Sequence, residues 1–282
     1  MNNNELKLYA NHIRKDIIGM LNSAGSGHSA GALGLADIFA VLYFDKLKHN
    51  PKNPRAKNRD FLISSNGHVC PVLYSSLARS GYFSLDELRK LRKYGAKLQG
   101  HPHKNIDLGI ENSSGPLGQG ISQAVGLSAS LKRDNKKNTV YCIIGDGEIQ
   151  EGQVWEAFMF ASKEELDNLI VILDRNRIQI SGNTEEVCSL EPLSKKINSF
   201  GLSVIDIDGN NITQIRHAIE HAKNIKGKPI CIIANTIPGK GISFMQGDYK
   251  WHGKVPNNEE KERALRDLEK EEEILKGGEN NA

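Results

Sequence analysis

The chain has 282 residues, of which 38% are hydrophobic and 25% are charged, and its formal net charge is +3. This composition excludes a mainly disordered chain, and the length suits one large globular domain or two small ones. The lysines and arginines are spread along the chain, so the charge pattern does not indicate a nucleic-acid partner.

The cysteines and the hydropathy pattern indicate the cellular compartment. Four cysteines (Cys70, Cys142, Cys188 and Cys231) lie far apart, and none forms a Cys-x-x-Cys pair. Cys142 and Cys231 lie inside apolar runs, where we expect packed thiols, and this favours a reducing compartment. No uncharged apolar stretch reaches the roughly 18 residues that span a bilayer, and the first residues lack a signal-peptide pattern. We therefore expect a cytoplasmic protein without a membrane segment.

Short apolar runs that are rich in β-branched residues recur along the chain and predict buried strands. They cover residues 61–64, 140–144, 169–173, 203–207 and 230–234. Helical patterns lie between them, and Ser84 with Glu87, and separately Asn211, are expected to cap two of these helices. Strands that alternate with helices predict an α/β fold, a parallel sheet with helices on both faces.

The residues after 256 differ in character from the rest of the chain. The stretch "NNEEKERALRDLEKEEEILKGGENNA" has dense mixed charge and few leucines. This pattern predicts a solvated helix that ends near Gly277 and Gly278. We interpret the chain as one domain over residues 1–256, followed by a charged helix and tail over residues 257–282.

Distinctive loops follow four of the predicted strands: "SSNGH", "GDG", "DRN" and "NTIPGKG". Ligands of open α/β sheets bind beyond the carboxyl ends of the strands, so we expect the chemistry to converge at these loops. A further glycine-rich stretch, "SSGPLGQG", leads directly into a helical pattern. Its glycines permit close approach of the backbone to a ligand, and the start of the helix offers free N–H groups, although such turns are common without any ligand.

The "GDG" stretch, Gly145 to Gly147, places a carboxylate at a strand-to-helix turn, where backbone N–H groups favour an anionic ligand. A bound cation would reconcile Asp146 with a phosphate at this turn. Asn176 follows the next predicted strand and can share that ion. A carboxylate, an amide oxygen, a backbone carbonyl and phosphate oxygens together suit Mg²⁺ or Ca²⁺. A tight turn without a ligand is the alternative for "GDG" on its own.

Four of the nine histidines lie beside a glycine and outside any helical pattern: His28, His68, His101 and His252. Histidines in ligand-side loops indicate proton transfer or hydrogen bonds to an oxygen-rich substrate. A structural histidine is the alternative for each of them taken alone. Their spacing does not match a helical zinc pair.

Taken together, these stretches resemble a known family. "GDGEIQEGQVWEA" with "DRNRIQISG" resembles the thiamine-diphosphate motif, and "SGHSAG", "SNGH", "GHPH", "GPLGQG" and "HG" follow in the order of the amino-terminal, diphosphate-binding half of transketolase. The resemblance runs from about residue 10 to 255. One departure is "DRN", since many relatives have two consecutive polar residues that end in Asn at this place.

The resemblance implies a thiamine diphosphate site with a divalent metal. The implied metal ligands are Asp146, Asn176 and the carbonyl oxygen of Ile178. The residues implied to line the cofactor are His68, Gly115, Pro116, Leu117, Gly147, Glu151 and Asn176, and Glu151 resembles a glutamate of the family that links paired active sites. The residues implied to face the sugar are His28, His101 and His252, which are also the catalytic candidates, and Arg92, which is expected near a substrate phosphate.

The resemblance also implies a function that needs a partner. In the family, a second domain supplies a glutamate to the pyrimidine ring of the cofactor, and only about 30 residues follow His252 here. We therefore expect the diphosphate-binding subunit of a two-subunit transketolase, which moves a ketol unit from a ketose phosphate to an aldose phosphate. The expected partner is a pyrimidine-binding subunit of roughly 300 residues, with two copies of each subunit in a heterotetramer.

Two alternatives remain open from the sequence. One is a related enzyme of other specificity, similar to deoxyxylulose-phosphate synthase or acting on an unusual sugar. The other is a cofactor-binding protein without catalysis.

Overall fold

A five-stranded parallel sheet lies at the centre of the computed structural model, which describes residues 1–277. All five predicted strands are confirmed, and four of them extend one or two residues further toward their carboxyl ends. The sheet has the order β1-β2-β3-β7-β6. A separate antiparallel pair, β4 with β5, follows β3. The strands are β1 (Phe61–Ser64), β2 (Val140–Gly145), β3 (Leu169–Arg175), β4 (Ile178–Gln179), β5 (Gly182–Asn183), β6 (Ser203–Asp208) and β7 (Ile230–Asn235).

Helices cover both faces of this sheet, as the alternating pattern predicts. The α-helices of the described residues are α1 (Asn3–Ala24), α2 (Ala30–Gly34), α3 (Ala36–Val41), α4 (Cys70–Arg79), α5 (Gln119–Arg133), α6 (Gly152–Lys163), α7 (Thr184–Val187), α8 (Leu193–Ser199), α9 (Ile212–Asn224) and α10 (Asn258–Gly277). A π-helical turn continues α3 over Leu42–Lys46.

Alternate side chains of the central strands divide the core into two clusters. Tyr141 and Ile143 of β2 pack with residues of α1, α3, α4 and α9 on one face. Cys142 and Ile144 of the same strand pack with residues of α5, α6 and α8 on the other. Successive side chains of a strand point to opposite faces, so a strand buried on both sides is apolar throughout. Cys142 is buried as expected, and burial raises the pKa of its thiol.

Both predicted caps are present, but the helix that Ser84 caps is a 3₁₀ helix and the predicted capping box with Glu87 is wrong. Asn211 caps α9, where its side chain accepts a hydrogen bond from the Gln214 N–H. Residues 85–90 instead form a 3₁₀ helix, in which the Ser84 hydroxyl accepts from the Asp86 N–H. The expected Glu87 partner of a capping box hydrogen-bonds Lys90 (2.6 Å), because the ammonium three residues along is within its reach.

The charged carboxyl-terminal helix exists as predicted, but it is not simply solvated. Ala264 and Leu268 of α10 are buried in the same apolar cluster as α1. The Asn11 amide donates to the Leu268 carbonyl oxygen (3.1 Å), and Lys15 pairs with Glu272. The helix therefore uses a narrow apolar stripe and polar contacts to dock on α1. The expected end at Gly278 and the tail to residue 282 lie outside the described residues, and the domain boundary after residue 256 stays a prediction.

Residues 1–277 contain no helix that is both long enough and apolar enough to cross a bilayer.

The docking of α10 predicts a difference between two aliphatic residues of the same helix. Leu268→Ala should lower the free energy of unfolding by about 3 kcal/mol, because it deletes a fully buried side chain. Ile274→Ala is the matched control: Ile274 is 75% exposed, so its loss should change the free energy by less than about 0.5 kcal/mol. Urea unfolding followed by circular dichroism measures both. Equal effects would show that α10 does not contribute to the core.

Candidate active site

A cavity of about 370 Å³ lies beyond the carboxyl ends of β1, β2 and β3. Seven separate parts of the chain line it, and the four glycine-adjacent histidines are among its lining residues. Of the residues implied by the resemblance, those that line the cavity are His28, His68, His101, Gly115, Leu117, Asp146, Gly147, Glu151, Asn176, Ile178 and His252. The structure therefore brings most of the predicted set together, while their individual roles stay predictions.

Two predicted residues stand apart from the cavity wall. Pro116 is exposed at the tip of the loop before α5, although both of its neighbours in the chain line the cavity. Arg92 lies behind the wall, where its guanidinium donates to the Gly100 carbonyl oxygen (3.2 Å) and the Ser26 hydroxyl (3.3 Å). Arg92 is nevertheless close enough for its charge to act on His28 and His101.

The four histidines form one cluster. The ring of His28 lies 5.1 Å from that of His68, 6.3 Å from that of His101 and 5.6 Å from that of His252, measured between centroids. A polar contact holds the first and last of these loops together. The Ser29 hydroxyl lies within hydrogen-bond distance of the carbonyl oxygens of Trp251 (3.1 Å) and Lys254 (2.6 Å).

The cavity keeps its histidines neutral. Burial, and after it the charge of His252, lowers the pKa of His68 from 6.5 to about 3. The pKa of His28 is lowered to about 4, again by burial first and by His252 second. Burial also lowers the pKa values of His101 and His252. At neutral pH each ring therefore has one N–H donor and one acceptor nitrogen.

Several polar atoms around the cavity have no partner. The Nδ1 atoms of His28 and His252 are buried without a hydrogen bond, and so are both side-chain amide atoms of Asn66. An unpaired buried polar group costs free energy that a suitable ligand can recover. A hydroxyl-rich ligand offers both donors and acceptors to such atoms, and a phosphate offers acceptor oxygens. The cavity therefore fits a polar ligand such as the diphosphate of a cofactor or a sugar.

Asp146 has a protein cation beside it that the sequence reasoning missed. Its Oδ2 accepts from Arg175 Nη1 (3.0 Å), from the Arg177 backbone N–H (2.6 Å) and from the Thr184 hydroxyl (3.3 Å). Arg175 is only 1% exposed and also pairs with two glutamates, Glu185 and Glu191. A cation of the protein itself therefore lies beside Asp146. The sequence contained a signal for this cation, since Arg175 is the middle residue of "DRN".

Asn176 is held by its neighbours. Its Nδ2 donates to Asp174 Oδ2 (2.7 Å), which fixes the orientation of the amide, and its Oδ1 accepts from the Ile178 N–H (3.0 Å). Asp174 is buried and is also hydrogen-bonded by the Thr236 hydroxyl. Burial raises the pKa of Asp174 to about 7. Sequence reasoning did not single out Asp174, although it is the first residue of the "DRN" stretch that follows the third predicted strand.

The predicted metal ligands share the cavity, and their chemistry suits a hard cation. Residues 1–277 contain no group of three or more His, Cys, Asp or Glu side chains arranged to hold a metal. The predicted set has one carboxylate, one amide oxygen and one backbone carbonyl, from Asp146, Asn176 and Ile178. Such a set suits Mg²⁺ when phosphate oxygens of a ligand complete the coordination. The donor types therefore fit the implied cofactor together with a metal.

Glu148 is a further residue that sequence reasoning missed. It lines the cavity, it is 2% exposed, and its carboxylate accepts hydrogen bonds from Ser65, Gly118 and Gly145. Burial raises its pKa. The signal was its acidic character directly after the "GDG" turn, which is also what a helix start favours.

Comparison with known proteins agrees with this geometry. Residues 6–271 match the family model of the transketolase thiamine diphosphate binding domain. The 6-deoxy-6-sulfo-D-fructose transketolase subunit SqwG of Clostridium sp. (strain MSTE9) is 43% identical over 95% of this chain and 97% of that protein. An apulose-4-phosphate transketolase subunit of Actinobacillus succinogenes is 40% identical over 95% of this chain and 97% of that protein.

A solved structure is similar as well. Transketolase from Campylobacter jejuni has a TM-score of 0.84 and 35% sequence identity, and the match covers 98% of this chain. The chain spans only 48% of that transketolase.

The fold and the site together define a thiamine-diphosphate-binding α/β domain, as the sequence predicted. The chain belongs to the transketolase family, and it matches that family's thiamine diphosphate binding domain over nearly its whole length. Within the family it is similar along its length to the separate subunits of split transketolases. The predicted family, enzyme class and subunit type are confirmed.

The lowered histidine pKa values predict how stability depends on pH. The folded chain binds fewer protons than the unfolded chain between the pKa values of about 3 (His68) and about 4 (His28) and the ordinary value of 6.5. Acid therefore favours unfolding, and the free energy of unfolding should fall as the pH decreases from about 6.5 toward 4. A double variant, His28→Asn with His68→Asn, should show a shallower decrease in urea unfolding at stepped pH. His221→Gln, on an exposed face of α9, should keep the original slope. Equal slopes in the wild type and the double variant would contradict the assignment.

Proposed function

We propose that this chain, with a pyrimidine-binding partner subunit, transfers a two-carbon ketol unit from a ketose phosphate to an aldose phosphate. The observation that carries the proposal is the convergence of four neutral histidines and the predicted metal ligands on one cavity at the carboxyl edge of the sheet. The cavity belongs to a domain whose family binds thiamine diphosphate. We further propose a role in carbohydrate metabolism of the pentose phosphate type, in the cytoplasm.

The cofactor and the protein would have different chemical roles in this reaction. Thiamine diphosphate supplies the electron sink for the carbon–carbon bond chemistry when it is bound. The chain's own residues would bind and orient the cofactor and the substrate, and they would transfer protons. Asp146, Asn176 and the Ile178 carbonyl would hold a Mg²⁺ ion, with Ca²⁺ as an alternative of similar ligand preference. The oriented amide of Asn176 and the anchored carboxylate of Asp146 reduce the motion that metal binding would have to restrict.

The cavity loops would contact the cofactor at close range. His68 and the backbone of Gly115, Pro116, Leu117 and Gly147 are the proposed lining. A Cβ on Gly147 would lie 3.3 Å from Gln179 Cβ, so this turn packs closely against a neighbouring cavity residue. Glu151 is exposed at the cavity rim, where it can meet a second protein chain. We propose it as the contact between paired active sites.

The remaining histidines would face the substrate. His28, His101 and His252 are proposed to hydrogen-bond the sugar hydroxyls and to pass protons, which neutral rings can do in either direction. Arg92 would add positive charge near a substrate phosphate. Its charge contributes to the lowered pKa values of His28 and His101, which supports a place close to the cavity.

The sugar specificity has a second candidate that the relatives favour. The two relatives of matching length are named for 6-deoxy-6-sulfo-D-fructose and for apulose 4-phosphate, neither of which is a common pentose phosphate. We therefore also propose a transketolase for an unusual sugar that bears an anionic group. A screen of ketose phosphates and sulfonated ketoses as donors, with the reconstituted enzyme, separates the two candidates. A higher kcat/KM for common pentose phosphates than for the other donors would support the transketolase of the pentose phosphate type.

The metal assignment predicts a loss of cofactor binding in two variants. Asp146→Asn and Asn176→Ala should each weaken Mg²⁺-dependent binding of thiamine diphosphate by on the order of tenfold or more, because each alters one proposed oxygen ligand. Asp146→Asn keeps an oxygen for Arg175, which limits the structural disturbance. Calorimetry of the complex with and without EDTA measures the effect. Asp134→Ala, an exposed carboxylate after α5, is the control and should bind as the wild type does. A cofactor affinity of the wild type that is insensitive to EDTA would contradict the metal assignment.

The partner requirement predicts that activity appears only on reconstitution. The purified chain alone should show no ketol transfer, whereas addition of a pyrimidine-binding subunit of roughly 300 residues should restore it. We propose two copies of each subunit in the active complex, a stoichiometry that light scattering can measure. Substitution of the partner's pyrimidine-contacting glutamate should abolish activity without dissociating the complex. Ketol transfer by this chain alone, in proportion to its own concentration, would contradict the proposal.

A further inference from the structure

The carboxylate of Glu148 joins three separate segments that border the cavity. Glu148 Oε1 accepts from the Ser65 hydroxyl and from the Gly118 N–H (2.8 Å), and Oε2 accepts from the Gly145 N–H (3.0 Å). Ser65 follows β1, Gly145 ends β2, and Gly118 immediately precedes α5. These positions are 83, 3 and 30 residues from Glu148 in the chain, in that order. One side chain therefore fixes three loop ends that nothing in the local sequence ties together.

Each of the three segments continues directly into the cavity wall. The residues next to Ser65, Gly118 and Gly145 are Asn66, Leu117 and Asp146, and all three line the cavity. A shift of any one of these anchors would therefore move a proposed cofactor contact.

The packing around Glu148 leaves the segments little freedom once they are joined. A Cβ on Gly120 would lie 2.5 Å from Ser65 Cα, so the first turn of α5 rests on the end of β1. A Cβ on Gly67 would lie 2.6 Å from Ser114 Oγ, so the loops themselves are in contact. Gly118 adopts φ = 77°, a left-handed conformation that favours glycine, and this directs its N–H toward Glu148.

A carboxylate is well suited to this position. Its two oxygens can accept from several donors at once, and hydrogen bonds to a charged acceptor are stronger than those between neutral groups. Burial of a charged group is costly unless such partners are present, and Glu148 has three. An amide of the same shape would have one acceptor oxygen, and its NH₂ group would face a backbone N–H.

We infer that Glu148 is a positioning residue that holds the loops after β1 and β2 and the loop before α5 in register, and so preforms the cofactor cavity. It acts through Asn66, Leu117 and Asp146 and does not touch reacting atoms. The inference about cofactor binding rests on the proposed function, whereas the joining of the loops can be measured on this chain alone.

Hydrogen exchange of the full chain tests the joining of the loops. In Glu148→Gln, amide exchange should accelerate by about tenfold or more in peptides that cover Gly118 and Gly145, because these amides lose or weaken their acceptor. Peptides from β6 and β7 should exchange as in the wild type. Glu156→Gln, an exposed glutamate on α6, is the matched control and should leave all peptides unchanged. Unchanged exchange at both loops, or acceleration that is equal across the whole sheet, would overturn the inference.

Calorimetry with thiamine diphosphate and Mg²⁺, on the complex with the partner subunit, tests the consequence for the cavity. Glu148→Gln should raise the cofactor Kd about tenfold and Ser65→Ala by less, and the double variant should fall short of the product of the two effects. The change in affinity is the discriminating readout: the activity of Glu148→Gln should be reduced at limiting cofactor and should recover as the cofactor concentration rises. Unchanged affinity in Glu148→Gln would overturn the positioning role and leave the proposed function standing. Absence of binding in the wild-type complex would overturn both.

Discussion

The parallel register of β1, β2 and β3 is the constraint on which the site depends. Ser64 pairs with Ile143, and Gly145 pairs with Asp174, so these strands end at nearly the same level. The pattern continues past the strand ends, where the Asp146 N–H donates to the Asp174 carbonyl oxygen (3.2 Å). Residues from three distant parts of the chain therefore meet at one edge. The cavity forms because these strand ends lie at nearly the same level, and the loops that follow the strands carry its polar groups.

Three buried carboxylates at this edge are each stabilised differently. Asp146 faces the buried guanidinium of Arg175, Glu148 accepts from two backbone N–H groups and a hydroxyl, and Asp174 accepts from Thr236 and Asn176. Unpaired negative charges this close together would be costly in a low-dielectric interior. Because each has its own partners, three carboxylates can be buried at one edge of the sheet, and the proposed anionic cofactor meets less uncompensated negative charge there. The histidines opposite remain neutral and add no charge of either sign.

The relatives and the exposed rim of the cavity both support the proposal of a second subunit. The relatives of matching length are named as subunits, while the solved Campylobacter transketolase is about twice as long as the region that this chain matches. The described residues line the cavity of a thiamine-diphosphate domain, with Glu151 and Ile180 exposed at its rim. These exposed residues are available to a second protein chain, in keeping with relatives of matching length that are named as subunits.

Much of the fold and the composition of the site could be predicted from local pattern. Strand runs such as "VYCII", the cap at Asn211 and the glycine-adjacent histidines are signals within a few residues, and the structure reproduces the strands, the cap and the convergence of the histidines. What only the tertiary structure decided is which charges meet. Arg175 beside Asp146, Glu148 between three loops, and α10 docked on α1 each join positions that are far apart in sequence or hidden inside another motif. Periodicity reports which face of an element is buried, but a charged side chain finds its partner only when packing brings two elements together, and no local pattern records that meeting.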